Sequence, residues 1–182
     1  MSQDNTLGTI LDLLKTCEKD KKPVCILVRK GTFESYKKKL NPALHIDINL
    51  EREEAVQIAA KECEKNGIIV CTTGMLSREL FEYRANKNLG HGKDFLCVGG
   101  MGHASQIAMG IALDQIDRPI YCFDGDGASL MHMGSMAICG TKQLPNLIHI
   151  VFNNGCHESV GGQPTVAQKI SLSQVASSLG YK

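Results

Sequence analysis

The stretches Pro119-Ile-Tyr-Cys-Phe-Asp-Gly-Asp126-Gly127 and Leu147-Ile-His-Ile-Val-Phe-Asn-Asn154 decide the fold of this chain. Each begins as a continuous apolar run, which is typical of a strand that is buried on both faces in a parallel sheet. Each run is followed by a polar turn, with Asp126 after the first strand and Asn154 after the second. Because the carboxyl ends of parallel strands lie along one edge of a sheet, we expect these two side chains to meet there.

Hydrophobic periodicity along the rest of the chain predicts an alternation of helices and strands. We predict helices over residues 7–19, 51–65, 76–86, 101–116, 129–141 and 165–179, and strands over residues 23–29, 67–71, 94–98, 119–123 and 147–152. Strands that alternate with helices indicate a sheet covered on both faces. The predicted fold class is therefore α/β, with three layers (α/β/α) and a mostly parallel sheet.

The chain divides into two parts, because the alternation of predicted helices and strands becomes regular only from residue 51. We interpret residues 1–50 as an N-terminal helix–strand segment with a linker, and residues 51–182 as the main domain. The sequence stops at Gly180-Tyr-Lys, just after a predicted helix, where an α/β layer would ordinarily return to the sheet. We therefore expect the chain to be a fragment, with the C-terminal part of its domain truncated.

Composition argues against several classes of function. The 182 residues carry 20 basic and 19 acidic side chains, a formal net charge of +1, and no tryptophan. Such a balance is unlike that of a protein that binds nucleic acid or an anionic membrane surface, so we expect neither partner. The eight cysteines form no Cys-x-x-Cys pair, and the first residues do not have the pattern expected of a signal peptide. We expect reduced, buried thiols and a cytoplasmic location.

The residues after the two deciding strands have the chemistry of a magnesium site. Mg²⁺ prefers about six oxygen ligands and takes several of them from phosphate and water. Asp126 offers a carboxylate, Asn154 an amide oxygen, and the turn at Gly155 can direct the backbone carbonyl of Cys156 inward. Glycines beside Asp126 let a phosphate approach the backbone closely. Either turn alone is more simply a structural turn, but the two together indicate a site for a divalent cation and a phosphorylated ligand.

Two further loops are predicted to reach the same edge. Gly100-Met101-Gly102 precedes a helix and matches a dinucleotide-binding fingerprint only loosely, because the third glycine is missing. Met101 is either an anchor in the core or a support beneath a bent organic ligand. In the other loop, Thr73 and Ser77 offer hydroxyl groups to a phosphate, although Ser77 is equally suited to cap a helix.

Two histidines are candidates for side chains near the reactive end of a bound ligand. His157, with Glu158 and Ser159, follows the predicted metal ligands, and His103 follows the Gly100–Gly102 loop. A single histidine in a loop is more often incidental than functional. We nevertheless predict His103 and His157 as the catalytic residues.

These motifs together resemble those of thiamine diphosphate enzymes, and most closely those of phosphonopyruvate decarboxylases. The resemblance covers most of residues 23–182 and rests on the following segments: Val28-Arg-Lys-Gly-Thr-Phe-Glu, Thr72-Thr-Gly-x-x-Ser-Arg-Glu-Leu-Phe-Glu, Gly100-Met-Gly-His-Ala, Gly125-Asp-Gly-Ala and Asn153-Asn-Gly-x-His-Glu-Ser-Val-Gly-Gly-Gln-Pro-Thr. Sulfopyruvate decarboxylase is similar in the last three. The implied fold is the diphosphate-binding domain of such enzymes.

The resemblance also implies a role for each matched position. Asp126, Asn154 and the carbonyl of Cys156 would hold Mg²⁺ against the diphosphate of the cofactor, and Met101 would keep thiamine diphosphate bent. The implied cofactor-binding residues are Thr73, Gly74, Ser77, Gly100, Met101, Gly102, Gly125, Asp126, Gly127, Ala128, Ser129 and Asn154. Met75 and Leu76 depart from the polar pair expected in their loop.

The implied activity is that of a carbon–carbon lyase that decarboxylates a 2-keto acid. Phosphonopyruvate, which would give phosphonoacetaldehyde and CO₂, is the favoured substrate, and sulfopyruvate is the alternative. Such enzymes activate the cofactor through a glutamate in a separate pyrimidine-binding domain, which we do not find in this sequence. We therefore expect a partner domain or subunit, and a dimer or larger oligomer.

Two other classes of function remain open from the sequence alone. The chain could be a non-catalytic module that binds Mg²⁺ and a diphosphate. It could also be a nicotinamide-dependent dehydrogenase, which the missing glycine and the lack of an acidic residue at a strand end about 20 residues after Gly100 make unfavourable.

Overall fold

A computed structural model of the protein describes residues 3–34, 50–63 and 66–182. The chain separates into two compact units, Met1–Ile46 and Asp47–Lys182. Most of the expected linker within residues 1–50 lies outside the described residues.

The first unit contains helix α1, Gln3–Asp20, where the periodicity predicts a helix. The strand predicted over residues 23–29 is wrong, since residues 22–29 have no regular secondary structure. Their apolar side chains are largely exposed, with Leu27 at 90%. A strand requires a hydrogen-bonded neighbour, and the described residues of this unit contain no second strand. An apolar run by itself does not reveal whether such a neighbour exists.

The second unit alternates helices and strands as predicted. Its helices are α2 (Arg52–Glu62), α3 (Met75–Asn86), α4 (Ala104–Asp114), α5 (Asp126–Met131), α6 (Gly134–Lys142) and α7 (Leu172–Ser178). Its strands are β1 (Ile68–Cys71), β2 (Asp94–Leu96), β3 (Ile120–Gly125), β4 (Leu147–Phe152), β5 (Cys156–His157) and β6 (Gln163–Pro164). Residues 64–65, at the predicted end of the helix over 51–65, lie outside the described residues. In the part of the chain that the structure describes, no helix has the length and apolar character needed to cross a membrane.

The main sheet has four strands in the order β2-β1-β3-β4, and every neighbouring pair is parallel. Cys71 at the end of β1 is in register with Phe123 on β3, which is in register with Ile150 on β4. The carboxyl ends of β1, β3 and β4 therefore lie side by side. This confirms the α/β class and the parallel sheet that the sequence predicts.

Two hydrophobic clusters lie on opposite faces of the sheet. On one face, Ile69 of β1 and Phe123 of β3 pack against side chains of α2 and α3. On the other face, Val70 and Cys122 pack against α4. Alternate residues of one strand enter opposite clusters because successive side chains of a strand point to opposite faces. The main domain is thus the expected three-layer α/β/α arrangement.

Helix α4 contacts the sheet through a row of small residues. Ala104, Ala108 and Ala112 recur every fourth residue and are at most 1% exposed. The predicted helix over 101–116 begins too early, because Gly100 and Gly102 have positive φ angles of 58° and 86°. Such left-handed backbone ends or prevents a right-handed helix. Residues Gly100–Gly102 consequently form a loop at the edge of the sheet and are not part of α4.

Two other predicted helices differ from the structure. The helix over 129–141 is two helices, α5 and α6, because the chain turns at His132, whose ring lies 4.3 Å from that of His103. The helix over 165–179 is shorter, because Ser171 is an N-cap that accepts a hydrogen bond from the backbone N–H of Gln174. The residues before it form a short 3-10 helix and the antiparallel pair of β5 with β6.

All eight cysteines are free thiols in the described structure. Cys71, Cys97, Cys122 and Cys139 are buried, whereas Cys25 is exposed, contrary to the expectation of uniformly buried thiols. Burial raises the pKa of Cys71 to about 12, so this thiol stays neutral at physiological pH. Because the thiolate is the reactive form, the buried thiols of this domain are packing residues rather than nucleophiles.

Candidate active site

One cleft opens at the carboxyl ends of β1, β3 and β4, where the sequence predicts the site. Its lining comes from the segments after these strands, from the loop between β2 and α4, and from the start of α2. The lining residues are Arg52, Thr72, Thr73, Met75, Leu76, Met101, Gly125, Asp126, Gly127, Ala128, Phe152, Asn154, Cys156, His157, Glu158, Ser159 and Val160. All three predicted metal ligands are among them.

Asp126 is a buried carboxylate at the start of α5. Its residue is 2% exposed, and it accepts a hydrogen bond from the hydroxyl of Thr165. No lysine or arginine among the described residues forms an ion pair with it. A buried negative charge is costly unless a cation or several hydrogen bonds compensate it. The Asp126 carboxylate is therefore suited to bind a cation that comes from outside the protein, because no lysine or arginine of the described residues is paired with it.

The turn after β4 fixes the orientation of the Asn154 amide. Asn154 Oδ1 accepts the backbone N–H of Cys156 at 3.2 Å, and Asn154 Nδ2 donates to Glu158 Oε2 at 3.2 Å. Gly155 has a φ of 69°, and a Cβ there would lie 2.7 Å from Nε2 of Gln168. Glycine is thus required for this turn, as the sequence pattern indicates.

Gly127 lies where the cleft has no room for a side chain. A Cβ at this position would be 2.6 Å from ring atoms of His157 and 3.4 Å from Cε of Met101. The Met101 side chain and the His157 imidazole therefore both approach the backbone beside Asp126. Glycine at position 127 is therefore what allows the His157 ring and the Met101 side chain to approach this backbone.

The loop after β1 joins the Gly100–Gly102 loop at the edge of the sheet. Thr73 Oγ1 accepts the backbone N–H of Gly99 at 3.1 Å. Thr72 Oγ1 is buried and has no hydrogen-bond partner among the described residues, and it lines the cleft. A buried polar atom without a partner is unusual in proteins. The hydroxyl of Thr72 is suited to form a hydrogen bond with a polar ligand. The sequence had indicated Thr73 for this role and not Thr72.

Six of the predicted site residues do not line the cleft. Ser77 donates to the carbonyl oxygens of Thr72 and Cys71 at 2.6 and 3.2 Å, and Ser129 donates to Asp124 Oδ2 at 3.2 Å. These two hydroxyls hold the ends of β1 and β3 in the structure. The other four, which lie in or beside the site loops, are Gly74, Gly100, Gly102 and His103. A role for any of the six in ligand binding stays a prediction.

A buried carboxylate that the sequence analysis did not identify supports the turn from below. Asp124 is 1% exposed, and its Oδ1 accepts the backbone N–H of Gly125 at 3.0 Å. His149 Nε2 lies 3.4 Å from Asp124 Oδ2, and His149 Nδ1 lies 3.1 Å from the hydroxyl of Tyr181. This chain of polar groups connects the turn before Asp126 to the end of the described chain. The pairing of β3 with β4 brings Asp124 near His149, and Tyr181 reaches them from the segment after α7.

An ion-pair network closes the side of the cleft beside Asn154. Arg52 Nη2 lies 2.6 Å from Glu79 Oε1, and Arg52 Nη1 also pairs with Glu158. The guanidinium holds the pKa of Glu158 below its usual range, and the hydrogen bond to Glu79 is the largest of the effects that raise the pKa of Arg52. Both partners of this pair are therefore charged at neutral pH. Nothing in the sequence indicated that Arg52 reaches this site, because its partners are distant in the chain.

The fold and this cleft define the class of protein. Residues 71–181 match the family described as "Thiamine pyrophosphate enzyme, C-terminal TPP binding domain", and the chain belongs to this family. A solved structure of a proposed thiamin diphosphate-dependent enzyme from Mycobacterium smegmatis has the same fold, with a TM-score of 0.58 and 19% identity. That likeness covers 71% of this chain and 25% of the other.

The curated relatives that match this chain include two kinds of decarboxylase. Phosphonopyruvate decarboxylase from Streptomyces viridochromogenes is 37% identical over 131 residues, which are 72% of this chain and 32% of that protein. Sulfopyruvate decarboxylase subunit beta from Methanothermobacter thermautotrophicus is 36% identical over 132 residues, which are 72% of this chain and 68% of that subunit. The chain thus spans about a third of the length of the first and about two thirds of the second.

Proposed function

We propose that this domain binds the diphosphate end of thiamine diphosphate through a magnesium ion, as part of an enzyme that decarboxylates a small 2-keto acid. The observation that carries the proposal is the buried carboxylate of Asp126 in the cleft, which pairs with no lysine or arginine of the described residues and has Asn154 and Cys156 beside it. Oxygen ligands of this kind suit Mg²⁺, which keeps room for phosphate oxygens and water. The family to which the chain belongs supports the choice of cofactor.

Each part of the cleft has a role in this proposal. Asp126, Asn154 and the carbonyl of Cys156 would hold the metal against the diphosphate of the cofactor. Met101 would support the cofactor from below. Bound thiamine diphosphate would supply the carbon nucleophile and electron sink for the loss of CO₂. His157, whose ring lies over Gly127, would hold or transfer a proton near the substrate.

We further propose that the substrate carries a second anionic group. Relatives named for phosphonopyruvate and for sulfopyruvate match this chain with nearly equal identity, so both substrates are supported. Relatives described as a "subunit beta" support a partner subunit, and we expect a pyrimidine-binding domain to provide the activating glutamate. Assembly as a dimer or larger oligomer is part of the same proposal.

Cofactor binding is tested by calorimetry on the 182-residue chain. We expect thiamine diphosphate to bind in the presence of Mg²⁺ and not after chelation with EDTA, because the diphosphate would reach the acidic cleft only through the metal. Thiamine without its diphosphate should fail to bind under both conditions. Binding of equal strength with and without Mg²⁺ would contradict the proposed metal site.

The substrate is tested by turnover once the partner domain or subunit has been added. Phosphonopyruvate, sulfopyruvate and pyruvate should be compared at equal concentration, with CO₂ release as the measurement. We expect either dianionic keto acid to be processed faster than pyruvate, since pyruvate lacks the second anionic group. Faster turnover of pyruvate would contradict the proposed substrate class. Tight metal-dependent cofactor binding without any turnover would favour a non-catalytic binding module.

A further inference from the structure

The Asn154 side chain is held by a chain of charged groups that begins on α2. Asn154 Nδ2 donates to Glu158 Oε2 at 3.2 Å, and Glu158 Oε2 also accepts from Arg52 Nη1. Arg52 is fixed in turn by Glu79 of α3, which accepts from Nε at 2.9 Å and from Nη2 at 2.6 Å. The four residues therefore form one connected network across three separate segments.

Two functions are conceivable for Arg52 in this network. A guanidinium in a cleft can bind an anionic substrate group, but here all three of its nitrogens already donate to carboxylates. Its side chain is only 15% exposed, and the two carboxylates outnumber its single positive charge. Because its positive charge is already compensated, Arg52 is poorly suited to bind an anion, although a guanidinium has five N–H groups. Its geometry instead fits a role in holding Glu158, whose side chain is 51% exposed and would otherwise move freely.

We propose that Glu158, held in place by Arg52, is a positioning residue that keeps the oxygen of the Asn154 amide available to the metal. An amide can ligate a cation only through its oxygen, so its NH₂ group must be directed elsewhere. Glu158 accepts that NH₂ group, and the backbone N–H of Cys156 donates to the amide oxygen, so the two contacts together determine which end of the amide is presented. This inference rests on the proposed function, because it requires that Asn154 ligate the metal.

The inference is tested by measuring metal affinity directly. Mn²⁺ can replace Mg²⁺, and free Mn²⁺ is counted by electron paramagnetic resonance while the 182-residue chain is titrated with thiamine diphosphate present. Partners that orient a metal ligand typically affect affinity by 10- to 100-fold, so we expect E158A to bind Mn²⁺ about 10- to 100-fold more weakly. E158Q should lose less, because its amide oxygen can still accept from Asn154.

Matched variants separate this role from general damage to the fold. Glu82 is an exposed glutamate away from the cleft, and Arg84 is an arginine of similar burial that pairs with Asp94. We expect E82A and R84A to bind Mn²⁺ like the wild type. R52A should weaken binding as E158A does, and the double variant R52A/E158A should be no weaker than E158A, because both residues act through one contact.

The possible outcomes distinguish this inference from the proposed function. Wild-type Mn²⁺ affinity in E158A would overturn the positioning role and leave the proposed metal site intact. Additive losses in R52A/E158A would also overturn it, since Arg52 would then contact the ligand itself. A wild-type chain that binds no Mn²⁺ with thiamine diphosphate would overturn the proposed function and this inference together.

Discussion

Replacement of Asp126 by alanine should lower the affinity of the chain for thiamine diphosphate and Mg²⁺ by at least about 100-fold, or about 2.7 kcal/mol. Asp126 is the one carboxylate among the three proposed ligands, and it is 2% exposed. Its loss removes both a ligand and the negative charge that attracts the cation. Because Asp126 would contact the metal directly, we expect a larger loss of affinity than for Glu158, which would only orient a ligand. Calorimetry with and without Mg²⁺ measures the effect.

Thr165→Val provides the control for this prediction. Thr165 donates its hydroxyl to Asp126, so the valine variant removes the hydrogen bond and keeps the carboxylate. We expect it to retain most of the metal-dependent binding. Cofactor affinity in the Asp126 variant equal to that of the wild type would refute the proposed site, provided that urea unfolding shows an intact fold.

Replacement of Gly140 by alanine should destabilise the domain by about 2–3 kcal/mol, the usual cost of forcing extra atoms into a packed interior. Gly140 lies on α6, and a Cβ there would overlap the carbonyl oxygen of Leu179. A Cβ built on the residue after Leu179, Gly180, would in turn lie 3.0 Å from the Gly140 carbonyl oxygen, so the two segments pack closely here. The substitution would therefore separate the end of the described chain, including Tyr181, from α6. Urea unfolding followed by circular dichroism measures the loss.

Gly134→Ala on the same helix is the matched comparison. Apart from its chain neighbours and the backbone of its own helix, no heavy atom lies within 4 Å of the position that its Cβ would occupy. Alanine favours the helical state over glycine by up to about 1 kcal/mol, so this variant should be neutral or slightly stabilised. Equal losses in the two variants would show that the effect at Gly140 comes from the helix itself and not from contact with Leu179.

The central strands and the position of the cleft could be predicted from the sequence. Strands β3 and β4 are continuous apolar runs that end in polar turns, and the structure places both turns at one edge of a parallel sheet. This succeeded because burial on both faces imposes an apolar sequence on every central strand. The wrong strand over residues 23–29 shows the limit of the same reasoning, since its apolar side chains are exposed.

The boundaries of the helices depend on local features that hydrophobic periodicity does not reveal. Positive φ angles at Gly100 and Gly102 delay the start of α4, and Ser171 determines where α7 begins. The short strands β5 and β6 pair two residues with two, which is too little for any periodic pattern to indicate. In these places local backbone geometry overrides the preference of the side chains.

By itself, the sequence determined the parallel α/β sheet and the oxygen-bearing residues at its carboxyl edge, because both follow from neighbouring residues and general packing rules. The tertiary structure alone decided which side chains support that edge. Arg52 meets Glu79 and Glu158, which lie 27 and 106 residues further along the chain. Contacts over such separations depend on how whole elements pack, and no local pattern of residues specifies them.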